Sequence, residues 1–193
     1  YQQAYRSMEA AVKETEGEML FYQSKVCEGV FHRISSGATR DGLEVFGKME
    51  KGYLLSVDSN WDMYGDGYLS GHYFSEEALR EQLEKAYPGL VFTEEPLEKQ
   101  INMHKRDKVG HILSLTVGNK TISGEEFRQL LELPSSNFTM QAADRKIRFL
   151  CKGQGHGLGL SQYGGNVLAR EGKSYQEILR YYFPECEVKT KKS

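Results

Sequence analysis

The chain has 193 residues, enough for one globular domain that buries most of its apolar surface without a disulfide or metal scaffold. With 39% hydrophobic and 27% charged residues, wholesale disorder is excluded, and no apolar run approaches a membrane span. A net charge of −2 gives no basic bias toward nucleic acid, so no nucleic-acid partner is expected.

The chain opens Tyr1-Gln2-Gln3, without an initiator Met or a signal peptide, so the natural start is expected to have been removed. Residues 8–16 read as a helix ended by Gly17. Glu18–Tyr22 and Val26–His32 read as a hairpin of aromatic and branched residues. Ser35–Gly47 reads as a polar loop and Tyr53–Val57 as a short strand. Asn60–Gly71, with Trp61, Asp58, Asp62 and Asp66 in or beside it, reads as a loop of turn-forming residues. The Asp spacing is not a calcium loop, and Trp61 stacking on a pyranose is the sharper alternative.

Ser75 is placed to cap a helix with Leu79, Leu83, Ala86 and Tyr87 on one face, stopped by Pro88-Gly89. Gln100–Arg106 and His111–Val117 alternate like paired strands around a turn at Asp107–Gly110. Ser123 and Glu126 have capping-box spacing before Phe127, Leu130 and Leu131. Phe138–Met140 and Lys146–Lys152 read as another hairpin. Ser174 and Glu177 are a second capping box, with Pro184 as the stop and Glu185–Thr190 as a final strand. Lys189, Lys191 and Lys192 read as a solvated basic end. The whole is expected to be α+β: a hairpin-rich, mixed or antiparallel β domain with several short helices.

Cys27, Cys151 and Cys186 are far apart and form no Cys-x-x-Cys pair. They read as small buried hydrophobes, with room for a single disulfide. His72, His104 and His111 have no motif around them and read as surface or strand residues.

The densest chemical signal is Gly153-Gln-Gly-His-Gly-Leu-Gly-Leu-Ser-Gln-Tyr-Gly-Gly165. It fails the dinucleotide, nucleophile-elbow and Walker patterns. Its glycines permit positive φ and close ligand approach, and His156 can titrate near neutrality. Gln154, Ser161, Gln162 and Tyr163 add neutral hydrogen-bonding groups of the kind that suit a sugar. The alternative is a structural turn around a satisfied histidine.

This segment, followed by Ala169, Gly172, Tyr175, Ile178-Leu179 and Tyr181-Tyr182, resembles the C-terminal signature of the SpoIID/LytB family. Ile122–Phe138, Phe31-His32 with Ser35–Thr39, and Ala10–Gly17 resemble further blocks of that family, in order along nearly the whole chain. The resemblance implies one SpoIID/LytB-like domain over residues 1–193 and a peptidoglycan lytic transglycosylase. Such an enzyme cleaves the bond between N-acetylmuramic acid and N-acetylglucosamine in glycan strands denuded of stem peptides by an amidase partner. It also implies an extracellular or cell-envelope setting with a separate N-terminal anchor, so no membrane contact is expected of this chain itself. A non-catalytic peptidoglycan-binding module assisting an amidase is the competing reading.

A transglycosylase lets the muramic acid 6-hydroxyl attack its own anomeric carbon, so one Glu can serve as acid and then base. The family's Glu lies in an N-terminal block that none of these segments matches. No catalytic residue is therefore assigned, and Glu9, Glu14, Glu16 and Glu18 are not promoted in its place. The expected substrate-binding residues are His32, Ser36, Thr39, Gln154, His156, Ser161, Gln162 and Tyr163. His156 is expected to orient the acid or contact a sugar. Some family members hold zinc with a His and cysteines near His32; no Cys follows His32 in the loop here, so no cofactor is expected, with zinc a remote alternative.

Overall fold

Turn chemistry decides the first half of the chain in the computed structural model, which describes residues 2–144 and 146–190. Helix α1 (Gln2–Glu14) starts earlier than its apolar pattern and buries no residue. Strands β1 (Glu18–Tyr22) and β2 (Lys25–Val26) form the expected hairpin. Its two turn residues, Gln23 and Ser24, both take positive φ (48° and 64°), as a twist-matched two-residue turn demands. The expected strand Val26–His32 does not run through. It stops at β2 and resumes as β3 (Phe31–His32), which joins a different sheet.

Within the segment expected to be a loop lies α2 (Gly42–Phe46), capped by Asp41, whose Oδ1 accepts the Glu44 N–H at 2.9 Å. Tyr53–Val57 is not a strand. Tyr53 and Leu54 are buried there without a ladder, so their apolarity reflects core packing alone. Asn60–Tyr64 winds as a 3₁₀ turn, and the same loop runs into β4 (Leu69–Ser75), a strand not expected from its Ser, Gly and His content.

From here the expectations hold closely. Helix α3 (Glu76–Ala86) carries its Ser75 cap, with the Ala78 N–H donating to Oγ at 3.1 Å. Strands β5 (Ile101–Arg106), β6 (Ile112–Val117) and β7 (Lys120–Ile122) form an antiparallel meander, followed by α4 (Gly124–Leu130) capped by Ser123. Strands β8 (Phe138–Ala143) and β9 (Lys146–Lys152) pair with each other, and β4 adds to β9. Strand β10 (Leu160–Ser161) pairs in parallel with β3 and leads into α5 (Gln162–Arg170). Helix α6 (Tyr175–Tyr182) has the complete Ser174–Glu177 capping box. The last strand, β11 (Glu187–Thr190), lies antiparallel to β1, giving the order β11-β1-β2. Among the described residues, six α-helices and eleven strands in small, almost wholly antiparallel sheets make this an α+β fold. Lys191 and Lys192 lie outside the described residues.

Two apolar cores result. The larger joins the sheets β4-β9-β8 and β5-β6-β7 with α3 and α4. Phe127, Phe138 and Phe149 meet at its centre with ring centroids 5.3–5.7 Å apart. Leu79 and Leu83 dock α3 there, each worth about 1.5–3 kcal/mol of burial. The smaller core gathers Tyr53, Leu54, Leu158, Leu168, Tyr182 and Phe183. Cys151 is buried in the larger core, as its alternation with apolar neighbours suggests. Cys27 and Cys186 are only half-buried, at the smaller one.

Candidate functional site

The site is built where two distant loops, residues 31–40 and 153–161, are laced together through their backbones. Arg33 and Ile34 both donate N–H to the Gln154 carbonyl at 3.1 Å, and Gln154 returns its own N–H to Ile34 at 2.7 Å. Arg40 donates N–H to the Gly157 carbonyl at 2.8 Å. The approach is too close for side chains at Gly153, Gly155, Gly157 and Gly159. A β-carbon on Gly155 (φ 106°) would lie 2.8 Å from His32 Cβ, and one on Gly159 (φ 68°) would lie 2.2 Å from the Val30 carbonyl oxygen.

His32 is sealed inside this lacing at 4% exposure. Its Nδ1 donates to the Leu158 carbonyl at 3.0 Å, which leaves Nε2 as a buried acceptor without a partner among the described residues. Burial pushes its pKa down to about 4, with the Leu158 carbonyl pulling the other way, so the ring is neutral at neutral pH. The His156 ring lies 5.8 Å away, centroid to centroid, and is half-buried. Its Nδ1 accepts the Leu158 N–H at 3.1 Å, which puts the hydrogen of the neutral ring on Nε2. Burial lowers its pKa too, against the pull of the Glu125 carboxylate and the Phe31 carbonyl.

Beneath His156 runs a buried polar network. Arg40, 3% exposed, donates Nε to Asp107 Oδ2 at 2.5 Å and Nη1 to the His156 carbonyl at 3.1 Å. Asp107 Oδ1 accepts the His111 N–H at 2.8 Å. His111 is no surface residue: it is 1% exposed, and its ring bonds Ser136 Oγ at 2.9 Å and faces Ser36 Oγ at 3.4 Å. Burial, then the Arg40 charge, holds it well below the ordinary histidine range. Nothing in its sequence surroundings marks this role, because the partners of its ring, Ser36 and Ser136, lie in other loops.

Two clefts flank the lacing. One, of about 420 Å³, has His156, Arg40, Ser123 and Glu125 beside an apolar wall that includes Val45 and Leu54. Burial raises the Glu125 pKa, but the Arg128 guanidinium, bonded at 2.6 and 2.9 Å, outweighs it and holds the carboxyl below its ordinary range. That is the wrong direction for a general acid. The other cleft, of about 400 Å³, is polar and lined by Arg33, Ile34, Tyr64, Asp66, Gln162 and Tyr163. Both volumes are in the range of small-ligand sites.

The eight expected contact residues therefore divide. His156, Gln162 and Tyr163 face a cleft. Thr39 and Ser161 are fully buried with their hydroxyls committed to the chain. Thr39 bonds Leu55 and Val57, and Ser161 caps α5 at the Gly164 N–H. Gln154 clamps the Asp66 and Gly67 carbonyls through Nε2, and Ser36 donates to the Val109 carbonyl. His32 is enclosed. These five shape the site rather than line it.

Trp61 packs against Tyr181 at the smaller core, ring centroids 5.8 Å apart. The aromatic surface comes instead from Tyr64, 82% exposed at the end of the same 3₁₀ turn. Asp62 is buried and accepts the Ser35 N–H at 2.7 Å, while Asp66 lines the polar cleft. Among the described residues no group of three or more His, Cys, Asp or Glu side chains is placed to hold a metal ion.

No family model matches the chain. It is 30% identical over 189 residues to stage II sporulation protein D of Bacillus amyloliquefaciens, covering 97% of this chain and 52% of the relative. It is 28% identical over the same length to stage II sporulation protein D of Bacillus subtilis (strain 168). A shorter likeness, 42% over 50 residues, is to the amidase enhancer of Bacillus subtilis, covering 26% of this chain and 7% of that protein. The chain spans about half the length of the two sporulation proteins it matches. Because that likeness runs through nearly all of its ordered blocks, the chain belongs to the stage II sporulation protein D (SpoIID/LytB) family.

Proposed function

We propose that this chain supplies the glycan-binding face of a peptidoglycan lytic transglycosylase of the cell envelope. Its substrate would be glycan strands whose stem peptides an amidase has removed, cut to leave 1,6-anhydromuramic ends. The observation that carries this reading is the placement of His156, Gln162 and Tyr163, all from one Gly-rich signature, at the walls of two clefts. Neutral imidazole, amide and phenol groups suit hydroxyl and acetamido partners, and Tyr64 offers a flat face to a pyranose.

In this reading His156 Nε2–H donates to a sugar oxygen beside the reacting bond. The proton-transferring carboxyl belongs to the family's Glu-containing block; Glu125, held ionised by Arg128, does not take its place. No helix among the described residues is long and apolar enough to cross a membrane, and no membrane contact is assigned to this chain.

The test is to digest amidase-treated glycan with the full-length protein and look for 1,6-anhydromuramic ends by mass spectrometry. Their absence at every pH from 5 to 8 overturns the enzyme reading. His156→Ala is expected to abolish glycan binding in a stably folded protein; unchanged binding removes the cleft assignment.

The likeness to an amidase enhancer supports a second reading, a wall-binding module that presents glycan to an amidase. It predicts faster amidase turnover in the presence of the chain with no anhydro ends formed.

A further inference from the structure

We propose that Cys27 and Cys186 form an intramolecular disulfide that ties the first hairpin to the last strand. Their sulfurs lie 3.6 Å apart although 159 positions separate them in sequence. A bond needs about 2.05 Å, so closure requires a shift of about 1.5 Å shared by two side chains.

The local architecture permits that shift. Cys27 directly follows β2, and its N–H still bonds the Leu20 carbonyl of β1 at 2.9 Å. Cys186 directly precedes β11, on the other side of β1. Both belong to the smaller apolar cluster together with Leu20 and Tyr22 of β1. The pair is reachable as well as close. Cys186 lines a surface cleft of about 340 Å³ with Leu20, Leu179 and Val188. Cys151 is excluded as a partner for either thiol, because it is fully buried in the other core. The odd cysteine count thus resolves into one pair and one core residue.

The oxidant is a disulfide, either glutathione disulfide or the disulfide of a dithiol oxidoreductase. Cys27 attacks first as the thiolate. Burial raises both thiols, Cys186 to about 12, but for Cys27 the Cys186 S–H and the Lys51 charge favour the anion. Attack on one sulfur of glutathione disulfide gives a mixed disulfide at Cys27 and releases one glutathione thiolate. Cys186 then loses its proton and attacks Cys27 Sγ, releasing the second. Two protein thiols are oxidised, one glutathione disulfide becomes two glutathione thiols, and these take up the two protons.

Such a bond closes a very long loop, which removes conformational freedom chiefly from the unfolded chain. The chain is equilibrated with excess glutathione disulfide, denatured and alkylated with iodoacetamide, then weighed intact and mapped by proteolysis. The expected result is one alkylated thiol, a linked Cys27–Cys186 peptide and a Tm roughly 5–15 °C above that of the reduced protein. Cys151→Ser should keep the rise in Tm, and Cys27→Ser and Cys186→Ser should each lose it. Three alkylated thiols, a glutathione adduct alone, a bond to Cys151 or between chains, or an unchanged Tm would overturn the proposal. The wild-type mass measurement decides even if a serine variant folds poorly.

Discussion

The two cores are held in different ways. The larger is an apolar cluster: phenylalanines packed largely edge to face, with leucines and isoleucines, close it, and its strands are mostly neighbours in sequence. The smaller region, with the Gly-rich loop against it, relies on polar groups out of water. Arg40 meets Asp107, His32 meets Leu158, and Ser59 meets Tyr182 at 2.9 Å. Apolar packing tolerates shape change in graded steps, whereas a buried polar network fails when one partner is lost. The contrast places the clefts lined by His156, Gln162 and Tyr163 on the less forgiving half.

The largest expected loss is in the apolar half. Phe149→Ala removes a fully buried ring that packs against Phe74, Phe127 and Phe138, and should cost about 3–5 kcal/mol in denaturant unfolding. A loss below about 1 kcal/mol would mean this core is not close-packed.

In the polar half, Asp107→Ala strands the Arg40 charge, whose side chain is only 4% exposed, and should cost a comparable 3 kcal/mol or more. Arg40→Met with Asp107→Leu together should recover most of that stability but disturb the His156 loop, seen as weaker ligand binding. If the double variant is no better than the single, the charge argument fails.

Acid should act on the polar half next. His32 titrates at about 4 when folded and near 6.5 when unfolded, so between those values the unfolded chain binds the extra proton. Stability must then fall as pH drops through that window, by up to about 3 kcal/mol from this group, with His111 acting in the same direction. Melting curves at pH 7, 5.5 and 4.5 should show it, and His32→Asn should flatten the trend. A wild-type Tm independent of pH in this range would contradict the buried neutral imidazole. The smallest effect, about 1 kcal/mol by thermal melting, is expected for Ser174→Ala, which opens the capping box of α6.

The same contrast governs how far the sequence could be read. Period-two alternation and cap residues foretold β5, β6, β9 and the Ser75, Ser123 and Ser174 helix starts, because those signals are local. Tyr53 and Leu54 misled because burial without a ladder leaves the same apolar trace as a strand. The Gly-rich signature pointed to His156, Gln162 and Tyr163, which the fold places at cleft walls. It could not separate them from Thr39 and Ser161, whose hydroxyls are polar in sequence but spent inside the chain. The pairings of Arg40 with Asp107 and of His111 with Ser36 escaped notice because they join positions 67 and 75 residues apart.

Those long pairings also set a timetable. His32 with Leu158 spans 126 positions, Ser59 with Tyr182 spans 123, and Tyr175 with Glu18 spans 157. Loop-closure entropy must be met before such contacts reward it, so regions built this way form slowly. On a ribosome the hairpins of the larger core can close while the last helices are still in the exit tunnel. The face that carries His156 waits for those later helices to emerge. Pulsed hydrogen exchange during refolding should therefore protect β5, β6, β8 and β9 before the amides of residues 31–40 and 153–161; the reverse order would refute it.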